Sequence, residues 1–311
     1  MEKLYVLLFY KFVKIENPEK FKEEHLKSCN NLGVLGRIIV AEEGINGSVS
    51  GTKEQIENYK IILASEEIFS GIVFKEEEIL NHPFTKMQIK IKDEIVNFGV
   101  SVNLEQNGEY LDSEKFYELY KKSPEAFIIL DTRNDYEYKI GKFKNAIHLN
   151  IKTFRQFPEA LKKIENLKDK KIITYCTGGI RCEKASAYMK EKGFKNVYQL
   201  KDGILNFGKR FPDTFWEGKC FVFDKRMVTS INSPESEDDI ITNCENCGDV
   251  CDLYKNCRNP ECDRFVIICL KCQEKLIGCC SVECKNELQK LFIKKALTKQ
   301  GRRIKADNLL N

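Results

Sequence analysis

The residues best suited to chemistry lie in Tyr175-Cys-Thr-Gly-Gly-Ile-Arg-Cys-Glu-Lys184. The apolar run Lys171-Ile-Ile-Thr-Tyr175 predicts a buried strand, and Cys182–Lys190 predicts an amphipathic helix. Cys176 therefore ends a strand, begins a glycine-containing loop (Thr177, Gly178, Gly179, Ile180) and faces a helix N-terminus. Thiolate is the reactive form of cysteine, and backbone amides, a helix N-terminus and Arg181 all favour it. The expected reactive thiol is Cys176. Arg181 either clamps an anionic group or makes a structural ion pair, and the otherwise uncharged loop favours the clamp. Cys182 has two readings: it resolves an oxidised or persulfidated Cys176, or it packs inside the helix interface.

A second set of residues points to metal. Ten of the fourteen cysteines fall within 244–284, while the first 170 residues hold only Cys29. Cys244 and Cys247, Cys257 and Cys262, Cys269 and Cys272, and Cys280 and Cys284 form four pairs. Closely spaced thiolates meet one tetrahedral zinc, and no histidine follows His148, so two all-cysteine sites with structural zinc ions are expected. Interleaving, with the first pair joining the third and the second joining the fourth, is the favoured arrangement. Cys280 is narrowly preferred to Cys279, and Cys251 looks spare. An iron–sulfur cluster is the rival occupant.

Fourteen cysteines would suit a disulfide framework in a small secreted chain, but 311 residues with clustered pairs read as metal binding in a reducing cytosol. No apolar stretch approaches the ~20 residues that span a bilayer. Leu4–Tyr10 is short, follows Glu2 and lacks a cleavage site, so it reads as a first strand, not a signal peptide. The expected location is cytoplasmic, with no membrane partner. The net charge of +4 is uneven: Lys285–Asn311 carries eight basic and two acidic residues, +6, leaving −2 elsewhere. The basic tail, 291–311, suits a nucleic acid or is a solvated helix end.

Along the chain, strand 4–10, helix 18–31, strand 34–41, a turn at Glu42-Glu-Gly-Ile-Asn-Gly47, strand 48–50, helix 53–65 and strand 72–75 give β-α-β-β-α-β. This predicts a ferredoxin-like (acylphosphatase-like) α+β domain over 1–80. Gly44 and Gly47 serve the hairpin. Residues 81–111 form a connector in which Lys86–Lys92 alternates as a half-exposed strand. Strands alternate with helices over 112–225, predicting an α/β domain with a mainly parallel sheet. Function in such sheets lies at the carboxyl ends of the strands, where Cys176 and Asp131-Thr-Arg133 both fall. Asp131 and Arg133 are expected as a hydrogen-bonded pair at the crevice rim, with acid–base work by Asp131 a lesser alternative. A small cysteine-rich zinc module occupies 240–290.

Leu130-Asp-Thr-Arg133, Glu137, Gly141–Ile147, the Cys176–Arg181 loop and Leu200-Lys-Asp-Gly203 resemble the successive landmarks of a rhodanese domain. In that family the matching cysteine carries a persulfide during sulfur transfer. The four residues between Cys176 and Arg181 disfavour the phosphatase version of the loop, which is one residue longer. Lys142 departs from the family's frequent Gly-His and is read as structural. From Leu4 to Cys284 the whole pattern, including Cys182 and the cysteine-rich end, resembles the tRNA uridine 5-hydroxylases. That resemblance implies an oxidoreductase that forms 5-hydroxyuridine at wobble position 34, with tRNA bound by its anticodon region and molecular oxygen as co-substrate. No flavin or nicotinamide motif is evident, and His25, His82 and His148 offer no facial iron triad. Two alternatives remain: a sulfurtransferase carrying a Cys176 persulfide, and a non-catalytic RNA- or protein-binding adaptor.

Overall fold

The computed structural model describes residues 3–232 and 240–293. The chain divides into two compact units, Met1–Glu235 and Ser236–Asn311.

The first unit opens with β1 (Leu4–Phe12), α1 (Pro18–Leu32), β2 (Leu35–Ala41), β3 (Gly44–Thr52), α2 (Lys53–Ser65), β4 (Val73–Ile79) and β5 (Met87–Ile91). The sheet order is β4-β1-β3-β2-β5, with β5 parallel to β2 and the other pairings antiparallel. Local sequence sets these boundaries. The Asn17 side chain accepts from Lys20 N–H to cap α1, Pro18 sits where its missing N–H costs nothing, and Gly33 ends the helix at φ +73°. Thr52 and Gln55 form a capping box on α2. Period-two alternation along β1 sends Leu7 and Phe9 into a core with Phe21, Ile56 and Tyr59. Leu8 and Tyr10 alternate with them, and the first sheet thus presents Leu8 and Tyr10 on its helix-free face.

The expected turn at 42–47 is shorter than its glycines suggest. Only Glu42 and Glu43 lie between β2 and β3, and Gly44 and Gly47 belong to β3. A Cβ at Gly44 would stand 2.1 Å from the Lys11 carbonyl oxygen, so glycine is required there by close strand approach. The connecting stretch is built into both sheets: β5 extends the first, and β6 (Glu109–Leu111) joins the second.

The second sheet has the order β6-β11-β10-β7-β9, where β7 is Ile128–Asp131, β9 Ile147–His148, β10 Lys171–Tyr175 and β11 Asn196–Leu200. Every pairing is parallel. Its strands are apolar on both sides because both faces are covered. Leu130 and Ile172 enter a core with Phe157, Ala185 and Met189; Ile129, Ile173 and Tyr175 enter another with Phe116, Phe143, Phe207 and Trp216. The helices are α3 (Ser113–Lys122), α4 (Asp135–Ile140), α5 (Phe157–Ala160), α6 (Ile180–Glu191) and α7 (Gly203–Arg210). A small antiparallel pair, β8 (Gly141–Phe143) with β12 (Trp216–Gly218), and a hairpin of β13 (Cys220–Phe221) with β14 (Val228–Thr229) complete the unit.

The amphipathic expectation for α6 fails in an informative way. Arg181 through Ala187 are all buried, including Glu183 and Lys184. The helix packs on its own sheet and also receives side chains from the first sheet, so its polar side is covered as well.

In the second unit, Tyr254–Asn256 pairs antiparallel with Phe265–Ile267, followed by α8 (Leu270–Lys275) and a helical stretch at 282–293. The basic tail beyond 293 lies outside the described residues. No helix among the described residues is long and apolar enough to cross a membrane.

Candidate active site and metal centres

Cys176 follows β10 and is buried. Gly179 takes φ +102°, a conformation open to glycine, and its N–H donates to the Cys176 sulfur at 3.1 Å. Burial opposes the thiolate. The Cys182 thiol, the Arg181 guanidinium and the N–H groups of Arg181 and Gly179 outweigh it, and the Cys176 pKa falls to about 5. Cys182 responds inversely: burial and the neighbouring sulfur push its pKa well up, so it keeps its proton and donates it. Thr132 Oγ1 lies 3.7 Å from the Cys182 sulfur. Thus both cysteines of the loop belong to one site, one charged and one neutral.

Arg181 is paired within the protein. It donates to both Glu137 carboxylate oxygens, at 2.6 and 2.8 Å, and Glu137 is fully buried. Glu137 also accepts from Asn134 N–H at 3.1 Å at the start of α4. The ion pair, the less favoured of the two sequence readings, is what the structure contains. It leaves a fixed positive charge beside Cys176 with the guanidinium largely buried.

Gly203 explains the Leu200–Gly203 landmark. It adopts φ +68°, and a Cβ there would stand 2.5 Å from the Cys176 carbonyl oxygen. That carbonyl accepts from Ile204 N–H at 3.0 Å and the Thr177 carbonyl from Leu205 N–H at 3.2 Å, so α7 holds the loop from behind. Asp131 and Arg133 lie deeper than the expected rim. Arg133 donates to Asp131 at 2.6 and 3.0 Å and to the Gly141 carbonyl at 2.6 Å, with no exposed surface on either residue. The pair braces the strand end and is closed to solvent.

The loop also meets the first sheet, which sequence reasoning missed. A Cβ at Gly178 would stand 2.8 Å from Leu8 Cδ2, and one at Gly179 would stand 2.9 Å from the Tyr10 hydroxyl. Tyr10 and Tyr110 each donate to Glu183 Oε1 at 3.0 Å, and Lys184 reaches Glu43 and Glu94 at 2.8 and 2.7 Å. The partners come from separate blocks of sequence, so no local signal announces them. Between sheet and loop opens a cleft of about 1200 Å³, lined by Cys176, Thr177, Gly178, Ile180 and Arg181 on one side and by Tyr10, Arg37 and Ile39 on the other.

The eight expected metal ligands form two groups in the second unit: Cys244, Cys247, Cys269 and Cys272, and Cys257, Cys262, Cys280 and Cys284. All sulfurs of a group lie within 4.8 Å of one another. Individual separations are 3.6 Å for Cys247–Cys269, 3.8 Å for Cys262–Cys280 and 3.5 Å for Cys280–Cys284. A tetrahedral centre with metal–sulfur bonds of ~2.3 Å places its ligands ~3.8 Å apart, so the residues fit a metal ion. The pairs interleave, and Cys280 rather than Cys279 completes the second group. Cys251 stands outside both, accepting from Leu253 N–H at 3.3 Å.

A helix-backed sheet closing over a strand-end cysteine loop on a parallel sheet defines a protein of the rhodanese class. Its segments match family models described as "UPF0176 acylphosphatase like domain" over 4–95, "Rhodanese-like domain" over 112–210 and "Rhodanase C-terminal" over 217–285. A tRNA uridine(34) hydroxylase of Bacillus licheniformis is 43% identical over 295 residues, covering 93% of this chain and 90% of that one. Those of Cytophaga hutchinsonii and Acholeplasma laidlawii are 40% and 43% identical, over 93% and 95% of this chain and 92% and 94% of theirs. The chain belongs to the tRNA uridine(34) hydroxylase family.

Proposed function

We propose that this protein hydroxylates uridine 34 of tRNA to 5-hydroxyuridine, with Cys176 as the active thiol and molecular oxygen as co-substrate. The observation that carries the proposal is the placement of Cys176, its sulfur held by the Gly179 N–H at 3.1 Å, in the lining of a cleft large enough for a nucleotide. Family membership over 93% of the chain supplies the substrate. The thiolate adds to C6 of the uracil ring, forming an S–C6 bond while the C5–C6 π pair moves onto C5 and its neighbouring carbonyl. C5 is then nucleophilic toward oxygen. Replacement of its hydrogen by hydroxyl oxidises the base by two electrons, and expulsion of the thiolate restores Cys176. Oxygen adds at C5 as a hydroperoxide, and a two-electron thiol reductant cleaves its O–O bond: two thiols become a disulfide, the distal oxygen leaves as water and the proximal oxygen stays on C5 as the hydroxyl. Arg181 and the loop amides hold the sulfur anionic before attack and after release.

The substrate would be held at its anticodon loop, where an unpaired base can be splayed into the cleft. Arg37, Lys92, Arg155 and Lys209 line that cleft, and no carboxylate among the described residues pairs with them. They suit backbone phosphates. The two cysteine groups would hold structural zinc, closed by four thiolates each, and the enzyme would work in the cytoplasm. Nucleoside mass spectrometry of tRNA from a deletion strain tests the reading. Loss of 5-hydroxyuridine is expected; unchanged 5-hydroxyuridine with altered thiolation would favour sulfur transfer instead.

A further inference from the structure

We propose that Phe223 is the platform on which the unpaired target base stacks beside Cys176. The inference rests on the RNA-substrate reading above and adds the residue that selects a flat, unpaired base. Of the described aromatic rings lining the cleft, Phe223 is the one more than half exposed, at 53%. Phe84 and Phe154 are buried, Phe74 packs edge-on against Phe9, and Tyr10 spends its hydroxyl on Glu183 with Lys75 over its ring. The Arg181 guanidinium lies over the Phe223 ring, 5.7 Å from its centre, which sets the ring next to the residue that closes the Cys176 loop.

The ring is exposed, yet its backbone is fixed. Val222 N–H donates to the Met227 carbonyl at 2.9 Å across the hairpin. The neighbouring Arg226 donates to Asp224 at 2.7 Å and to Glu77 of the first sheet at 2.8 Å, and Lys225 N–H reaches the Pro83 carbonyl at 3.2 Å. Phe221 supports the ring edge-on at 5.1 Å. A braced hairpin presenting an apolar ring to water, inside a cleft with cations that pair with no carboxylate among the described residues, is the arrangement that binds single-stranded nucleic acid: stacking on the ring, phosphates on the cations. Stacking also tolerates any base that is not paired, so Phe223 would enforce extrusion of the base from its neighbours, and contacts elsewhere in the cleft would read its identity.

The test uses the full-length protein and an anticodon stem–loop RNA, with binding followed by fluorescence anisotropy and product by mass spectrometry. Phe223→Leu keeps apolar bulk and removes the ring; Phe223→Tyr keeps the ring. Loss of one base–aromatic stack weakens binding by roughly 5- to 150-fold, so Phe223→Leu should raise Kd and KM within that range while Phe223→Tyr stays near wild type. The pH profile of Cys176 alkylation should be the same in all three proteins. Unchanged Kd in Phe223→Leu, or a shifted alkylation profile that accounts for the lost activity, would overturn the proposal. If wild type binds the RNA in a Phe223-dependent way but forms no 5-hydroxyuridine, the hydroxylation reading fails and the platform stands.

Discussion

Arg181 and Glu137 are joined by two short hydrogen bonds inside the protein, although they stand 44 residues apart in the chain. The guanidinium charge favours the Cys176 thiolate. Removing Glu137 strands a buried cation. Glu137→Ala is expected to lose about 3–5 kcal/mol of stability, the cost of breaking a buried pair from one side. Urea denaturation measures this, and a loss below about 1 kcal/mol would show that water replaces the carboxylate.

The thiol should titrate far below an ordinary cysteine. Iodoacetamide alkylation of Cys176 is expected to rise through pH about 5 and level off above it. Arg181→Met, which removes the charge, should move the midpoint upward toward the ordinary value of 9.0. The same shift affects stability. The folded-state pKa is depressed, so the contribution is complete above pH 9.0, the unfolded thiol's value, and is lost as pH falls to about 5. Cys176→Ser should flatten that part of the stability profile.

Metal analysis checks the cysteine pairing. The full chain should carry two zinc ions and no visible absorption band. Cys280→Ala should reduce the content to one, whereas Cys279→Ala and Cys251→Ala should keep both. Chelation should unfold the second unit, because all-cysteine sites of this kind contribute folding energy directly. Coloured protein containing iron would contradict the zinc assignment.

Arg37 and Lys92 in the cleft give a salt signature. Each phosphate contact to a single strand contributes about 0.7 to the slope of log K against log salt. The double variant Arg37→Ala with Lys92→Ala should lower that slope by about 1.4 and weaken binding at low salt, leaving Cys176 alkylation unchanged. An unaltered slope would place the RNA elsewhere.

Much of this was legible in sequence because the signals were local. The strand-loop-helix around Cys176 follows from the apolar run to Tyr175, the glycines and the helix formers after Arg181. The paired cysteine spacings picked out the eight candidate ligands, and the structure supplies the interleaving that sequence could only favour. What stayed hidden depended on contacts between distant segments. Nothing near Tyr10 announces that it caps Glu183, and nothing near Phe223 announces a cleft. The Glu42–Gly47 glycines looked like a turn because close strand packing and turn geometry both select glycine; only the strand register separates them. Arg181 was ambiguous for the same reason, since its partner sits on α4.

The central claim is that the Cys176 thiolate performs the hydroxylation. Purified wild type and Cys176→Ala should be incubated with unmodified tRNA under oxygen, and the nucleosides quantified by mass spectrometry alongside tRNA binding. Loss of 5-hydroxyuridine in the variant, with tRNA affinity retained, is the predicted result. Undiminished 5-hydroxyuridine from Cys176→Ala would contradict the account.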